Sequence, residues 1–391
     1  MAADNAMPLD GVTVVDIGTL FAGPMIATHM ADFGAEAIKV EHPRGDSLRS
    51  FAPQKDGISL WWKLTGRNKK SITCNLSAPE GQEILKKLVV DADVLIENFR
   101  PGTLEKWELS WEVLHRLNPK LILVRCSGFG QEGPYAGRPG FGTLAEAMSG
   151  YSHITGEAEG PPTLPGFALA DGVSAMCGTY AVMMALYHRD ESGQGQEVDA
   201  SLLGGNMYSQ SLDMQAYLAI RDDRFLEPIG RLDASNPMSG PMYPCSDGRW
   251  VTLAMPDTDK YWPAFAEITE LDVDDPRFDT HEKRCEENRL EMLALLEEIF
   301  HAKPGSHWKS ELDRKQLPAD VIERYAYPAS DTAAEANRYI VNVDHPVAGS
   351  VKSLGFPVHM AAHPAEIRRR APAPGEHTEE ILGELRGTDA S

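Results

Sequence analysis

The chain has 391 residues, 42% of them hydrophobic and 8% aromatic, enough length and apolar content for two packed domains and unlike a disordered segment. Its 37 basic and 58 acidic residues leave a formal net charge of −21, which argues against nonspecific nucleic-acid binding and against docking on anionic membranes. The five cysteines, Cys74, Cys126, Cys177, Cys245 and Cys285, are scattered without a CxxC pair; that suggests neither a disulfide framework nor a zinc site and fits a reducing cytoplasm.

Residues 1–8, "MAADNAMP", lack a basic region followed by an apolar one, and no apolar run is expected to reach the roughly 18 residues of a membrane span. A cytoplasmic protein with no membrane partner is the expectation. A β-branched strand from Val12 to Ile17 leads through a Gly-containing turn into a helix ending near Asp32-Phe33-Gly34, and "AEAIKVEH" reads as the next strand. The unit recurs as a helix over Pro79 to Val90, the strand "ADVLIENF", a helix over Trp111 to Leu117, and the strand "KLILVRCSGFG". Short apolar strands separated by helices predict an α/β fold, a parallel sheet covered on both faces. Ligands of such sheets sit beyond the carboxyl ends of the strands. Those ends carry Gly18 to Ala22, Glu41-His42, Glu97-Asn98 and Ser127 to Gly130. The first turn has no GxGxxG, so a nicotinamide cofactor is not expected.

In "PGFALADGVSAMCG" a single carboxylate, Asp171, lies between an apolar run and small residues, ahead of a predicted helix from Val173 to Tyr187. Asp is a favoured helix N-cap, which alone would explain it. A carboxylate taken out of water otherwise needs partners or a chemical task. Both readings stay open at this level. The apolar "VSAMCGTYAVMMAL" reads as a buried helix packed on the sheet rather than a membrane segment. After Gly195 come a strand, "QEVDAS", and helical sequence to about Ile220.

A polar linker then precedes "GPMYPCSDGRWVTLAM", a β-hairpin around Ser246-Asp247-Gly248, and the helical "KRCEENRLEMLALLEEIF". The expected division is a large domain at 1–224, a smaller α+β domain at 225–330, and a C-terminal segment at 331–391 with paired strands in "DHPVAGSVKSLGFPVHM" and a terminal helix. His281 and Cys285 are four apart with no second pair, so no metal is expected. Arg67, Lys69 and Lys70, and separately Arg100 and Lys106, form two basic groups in an acidic chain. Each suits a solvated face or a phosphate site.

The stretches "PLDGVTVVDIGTLFAGP", "DFGAEAIKVEHPRGD", "ADVLIENFRPGTLEK", "LNPKLILVRCSGFGQEGPYAGRPGF", "LADG" and "APAPGEHTEEIL" resemble the class III coenzyme A transferases, the group of formyl-CoA transferase, carnitine CoA-transferase and α-methylacyl-CoA racemase. The similarity spans nearly the whole chain. It implies a Rossmann-like large domain and an interlocked homodimer, with residues from 331 onward returning to the large domain. It implies acyl-CoA and carboxylic acid substrates, coenzyme A being a substrate and no cofactor being tightly bound.

The same resemblance makes Asp171 the nucleophile that passes through an anhydride and an aspartyl-CoA thioester. It places CoA contacts at Leu20, Phe21, Ala22, His42, Cys74, Asn98 and Lys106, with His42 and Lys106 at the phosphates. A helix N-terminus beside Asp171 is expected to hold it ionised, and Gly-rich backbone N–H groups to stabilise oxyanions. Members of the racemase branch carry Gly-His-Asp where this chain has Gly140-Phe141-Gly142. Since Phe141 cannot carry a proton, CoA transfer is expected over 2-methylacyl-CoA epimerisation, the alternative reading.

Overall fold

The computed structural model describes residues 6–388 apart from 52, 56, 231, 232 and 346–348. In β1 (Thr13–Asp16), Val14 and Val15 are both fully buried but in different apolar layers, as alternate side chains of a sheet covered on both faces must be. The chain continues through α1 (Ala22–Asp32), β2 (Glu36–Glu41), β3 (Lys69–Thr73), α2 (Pro79–Val90), β4 (Val94–Glu97), α3 (Trp111–Leu117) and β5 (Ile122–Ser127). Then come α4 (Gly142–Met148), α5 (Leu169–Ser192) and β6 (Glu197–Ser201). All six strands are parallel, in the order β3-β2-β1-β4-β5-β6. This is the doubly wound Rossmann-like arrangement, with its order reversing between β1 and β4.

On one face α1 and α5 cover Val14, Ile96 and Val124. On the other, Leu85 and Leu88 of α2 and Leu114 of α3 cover Val15, Leu95 and Leu123. Gly178 permits the close crossing of α5 over α1, since a Cβ there would lie 2.5 Å from Ile26 Cδ1. The helix α5 runs 24 residues, four residues earlier and five later than its apolar signature indicates, and by length and hydropathy it could cross a membrane. That overturns the expectation that no segment reaches that length. Its contacts with α1, β5 and β6 are those of a helix packed on a sheet. The helical sequence before Ile220 is two helices, α6 (Leu202–Ser209) and α7 (Ser211–Ile220), parted at Gln210.

A second compact unit comprises residues 153–162 and 223–331. Its sheet pairs β7 (Ser239–Pro244) with β8 (Trp250–Ala254), and β8 with β9 (Ala319–Val321), all antiparallel. The β7–β8 turn contains Gly248 at φ +78°, a conformation natural to glycine. Around Tyr243, Phe265, Phe300 and Trp308 pack α8 (Thr258–Thr269), α9 (Arg289–His301) and α10 (Gly305–Lys315). The helix expected across 283–300 is broken at Asn288 into a π turn and α9.

Residues from 332 on cluster with the first unit. They form the hairpin of β10 (Ile340–His345) and β11 (Gly349–Leu354) and the terminal helix α11 (Thr378–Thr388). The paired strands expected here begin four residues earlier than read, and residues 346–348 of that stretch lie outside the described residues. The His377 N–H donates to Ser71 O at 2.9 Å and Trp62 Nε1 to Pro372 O at 3.1 Å, so this segment lies against the edge strand β3 and its flank.

The strand β3 has no apolar signature because its first residue is a buried lysine. Lys69 Nζ lies 2.8 Å from Asp16 Oδ2 and donates to Pro24 O at 2.6 Å. Lys39 Nζ lies 3.5 Å from Asp16 Oδ1 and 3.3 Å from Asp46 Oδ2, and donates to Gly18 O. Glu41 accepts from Arg49 Nη2, Ser71 Oγ and the Asp46 N–H at 2.6, 2.6 and 2.8 Å. Three carboxylates thus face three cations beneath the first turn. Burial alone would raise the Asp16 carboxyl, but Lys39 and Lys69 outweigh it and hold it below the ordinary value. Lys69→Met leaves Asp16 with Lys39, 3.5 Å away, as its remaining cation, so a loss of about 2–4 kcal/mol in urea-unfolding free energy is expected; a loss below about 1 kcal/mol would contradict the role given to this pair.

Candidate functional site

Beyond the carboxyl ends of β1 to β4 lies a cavity of about 610 Å³, lined among others by Gly18, Thr19, His42, Arg44, Cys74, Phe99 and Trp107. This is the position that a switch in strand order opens to ligands. Its rim is the turn after β1, where Leu20 adopts φ +62°. A non-glycine residue holds that conformation only when its surroundings enforce it. Here the Thr19 N–H donates to Asn98 Oδ1 and Asn98 Nδ2 donates to Thr19 O, both at 2.7 Å. The Leu20 N–H faces both Asp46 carboxylate oxygens at 3.3 Å.

His42 and Cys74 line the cavity. The Cys74 thiol, buried and 3.4 Å from Gly81 O, is pushed up to about 11 by burial, so it meets a ligand as a neutral wall. Asn98 spends its amide on the turn. Lys106 is exposed at the end of the helical turn Thr103–Lys106, next to Trp107. Phe21 and Ala22, at the start of α1, belong to the apolar layer that also holds Ala170. The cavity walls additionally include Arg44, which sequence reading passed over; its N–H lies 3.1 Å from His42 Nδ1. Glu97, whose carboxyl burial pushes up to about 8, accepts from the Phe99 N–H at 2.6 Å and fixes that wall residue.

The basic group Arg67, Lys69, Lys70 is neither a solvated face nor a phosphate site. Arg67 Nη2 pairs with Asp32 at 2.6 Å, Lys69 is in the network already described, and Lys70 meets Glu36 and Glu380 at 2.6 and 2.9 Å. Arg100 and Lys106 make no ion pair among the described residues. His281 Nδ1 lies 2.9 Å from Thr258 Oγ1, and no group of three His, Cys, Asp or Glu side chains able to hold a metal occurs among the described residues.

Asp171 stands in the first turn of α5, not at its N-cap. That place belongs to Ala168, at φ +61°, and no side chain caps the helix. The capping explanation for Asp171 therefore fails. Its carboxylate is packed over the first residue of α4, where a Cβ on Gly142 would overlap Asp171 Oδ2. One turn along α4, the buried Glu146 accepts from the Ala170 N–H at 3.2 Å. Burial first, and the Glu146 charge second, push the Asp171 carboxyl up to about 6. The backbone N–H at the helix start does lower it, as expected, but is outweighed by burial and Glu146. The carboxylate remains mostly ionised at pH 7 while being more basic than an exposed one.

A backbone contact sets this arrangement. Gly128, after β5, packs directly on Gly140, where a Cβ on the former would lie 2.5 Å from Gly140 Cα. The Gly-rich loop is thus pinned at both ends before it delivers Gly142 to Asp171. Asp199 Oδ2 holds the loop from the side by accepting from the Gln131 N–H at 2.8 Å.

The profile of CoA-transferase family III matches residues 9–378. The chain belongs to that family. It is a class III CoA-transferase, an enzyme whose substrates are CoA thioesters. Among its relatives, the succinyl-CoA–D-citramalate CoA-transferase of Chloroflexus aurantiacus is 38% identical, over 97% of this chain and 94% of that protein. The β subunit of the succinyl-CoA–L-malate CoA-transferase of the same organism is 36% identical, over 98% and 95%. The crystal structure of a CAIB/BAIF family protein from Brucella suis superposes with a TM-score of 0.85 at 30% identity, covering 97% of this chain and all of that one.

For this transferase the cramped packing of Gly142 on Asp171 is directly testable. With Asp171 as the nucleophile that the family resemblance implies, Gly142→Ala should displace the carboxylate and lower kcat by about 10²-fold with KM for the acyl-CoA changed much less, as read by steady-state kinetics. Wild-type kcat would contradict that role for a carboxylate packed in this way.

Proposed function

We propose that this enzyme moves CoA from succinyl-CoA to a second small di- or hydroxydicarboxylate, using Asp171 as a covalent relay. The observation that carries this reading is the Asp171 carboxylate, half-buried, uncapped and seated without a side chain beneath it at Gly142. The donor and the acceptor class are supported by the names of the relatives, which act on succinyl-CoA with D-citramalate or L-malate.

Asp171 attacks the donor thioester carbonyl, releasing CoA thiolate and leaving an acyl-aspartyl anhydride. The thiolate attacks the aspartyl carbonyl, releasing the donor acid and forming aspartyl-CoA thioester. The acceptor carboxylate attacks that thioester to give a second anhydride, and the thiolate then takes the acceptor acyl group, restoring Asp171. Each step exchanges one acyl bond for another, so no oxidant, metal or net proton is required, and the hard exchange is divided among easier ones. One acceptor oxygen remains on Asp171 in every turnover.

The nucleotide end of CoA occupies the 610 Å³ cavity, its phosphates toward Arg44, His42 and Lys106. The pantetheine arm passes Leu20, Phe21 and Ala22 toward α5, with Cys74 and Asn98 as neutral contacts. Residues 1–224 with the returning C-terminal segment thus act as the CoA-binding domain. Nothing at Phe141 favours racemisation, which needs a proton carrier on each face of the α-carbon.

The enzyme works as an interlocked homodimer in this reading. Met176, Tyr180, Met184 and Tyr187 form an exposed stripe along α5, each at least 48% exposed, of the kind that marks a protein interface. Sedimentation at nanomolar concentration should still give a dimer; folded, active monomer would refute it.

Mass spectrometry of CoA esters formed from succinyl-CoA and a panel of carboxylates tests the substrate class, with transfer to dicarboxylates expected and transfer to monocarboxylates alone contradicting it. In Asp171→Asn, turnover should fall by about three orders of magnitude or more with CoA affinity retained. The same variant should gain stability. The wild-type folded value, about 6, lies above the ordinary 3.8, so ionised Asp171 opposes folding increasingly from pH 4 to 6 and fully above. A gain of about 1–3 kcal/mol at pH 8, vanishing below pH 4, is expected from chemical unfolding. Near wild-type turnover in Asp171→Asn would end this reading.

A further inference from the structure

Glu146 is a buried carboxylate in an acidic protein with no cation beside it among the ion pairs of the described residues. It stands on α4 one turn after Gly142, the residue on which the Asp171 carboxylate rests. Its Oε1 accepts at 3.2 Å from the N–H of Ala170, the residue immediately before Asp171. The same four-residue helical step therefore brings a hydrogen-only surface to the nucleophile and a negative charge to the backbone that carries it. A buried charge without a counter-ion is destabilising, and its placement here calls for a functional account.

We infer that Glu146 is a positioning residue for Asp171: through the Ala170 N–H it fixes the first turn of α5, and through its charge it keeps the neighbouring carboxylate basic enough to attack a thioester. This inference rests on the reading of Asp171 as nucleophile and adds the group that tunes it. The charge contributes, after burial, to the upward displacement of Asp171 to about 6. Repulsion between neighbouring carboxylates raises proton affinity, and a more basic carboxylate is a stronger nucleophile.

The other elements packed against α5 supply no rival charge. On β5, Arg125 pairs with Glu105 and Glu197 at 2.6 and 2.8 Å. Cys126 is a neutral thiol pushed up to about 12 by burial first and by Asp171 second. On β6, Glu197 is taken by Arg125 and Asp199 by the Gln131 N–H. On α1, Asp32 is paired with Arg67, and His29, lowered to about 4 mainly by burial, meets Thr179 two turns further along α5. The helix α6 carries no charged side chain.

Glu146→Gln separates the charge from the hydrogen bond, because the amide oxygen can still accept from Ala170 while the negative charge is gone. Initial-rate pH profiles with succinyl-CoA and L-malate should then differ in shape. The acidic limb of kcat/KM should move down by about one pH unit, so that near pH 5 the variant keeps a several-fold larger share of its own plateau rate. The plateau kcat should fall by a few-fold because the nucleophile is less basic. Glu146→Ala, which also removes the acceptor, should lose kcat further with little change in KM for the acyl-CoA.

A Glu146→Gln profile that overlays the wild type, or lies below it by the same factor at every pH, would overturn the assignment, since a purely structural group does not shift the limb. Asp171→Asn is measured in parallel. If that variant turns over normally, the reading of Asp171 itself fails; if it is inactive and the Glu146→Gln limb does not move, only the role given to Glu146 fails.

Discussion

The contact on which the rest of the large unit depends is the buried pairing of Lys69 with Asp16, 2.8 Å apart with both side chains fully enclosed. Neither charge is tolerable there alone, and each is tolerable only in register. Lys69 opens β3, Asp16 closes β1, and the Lys69 ammonium also holds Pro24 O on α1. Lys39 of β2 extends the pairing to Asp46, whose carboxylate faces the Leu20 N–H. The ionic network therefore specifies three strand positions and the left-handed turn that rims the cavity. A core of apolar residues could have stabilised the sheet equally well, but it would not have placed hydrogen-bond acceptors under that turn.

The Asp171 region is built on the opposite policy. Where the network balances charges, the start of α5 places two carboxylates near one another with no cation, and the backbone is shaped by glycines rather than by ion pairs. Gly128 against Gly140 is a backbone contact that no other residue can make without moving the chain, and a side chain at Gly142 would have to displace the Asp171 carboxylate. Such a site is less stable than it could be, and the surrounding sheet, with both faces covered by apolar layers, is what allows it to persist. Stability held in the first turn and relinquished at Asp171 is how a single fold offers both a rigid cavity beyond the sheet and a carboxylate of raised proton affinity.

Much of the sheet was legible because β1, β2, β4 and β5 are short β-branched or apolar runs between helical stretches, and α2 and α3 carry their own start and stop signals. β3 was not, since Lys69-Lys70-Ser71 carries charge where a strand normally carries apolar side chains, and only the distant Asp16 makes it a buried element. The three basic residues read as one cluster there each serve carboxylates of their own. The helix α4 was hidden because "GTLAEAM" is short and weakly patterned, and with it the relation of Glu146 to Asp171, which is set by a crossing of helices and has no local signature. Asp171 itself could be singled out from sequence, but its protonation behaviour could not. Proximity to a helix start suggested a lowered proton affinity, whereas burial and Glu146, both tertiary in origin, reverse the sign.

The central claim, that Asp171 becomes covalently acylated during CoA transfer, is tested most directly by isotope. The enzyme is turned over many times with succinyl-CoA and an acceptor acid labelled with ¹⁸O in its carboxylates, then digested and the peptide containing residue 171 weighed. The covalent route predicts ¹⁸O in the Asp171 carboxylate, with a mass gain of about 2 and then about 4 as both oxygens exchange. An unlabelled Asp171 after many turnovers, or label on Glu146 in its place, would contradict it.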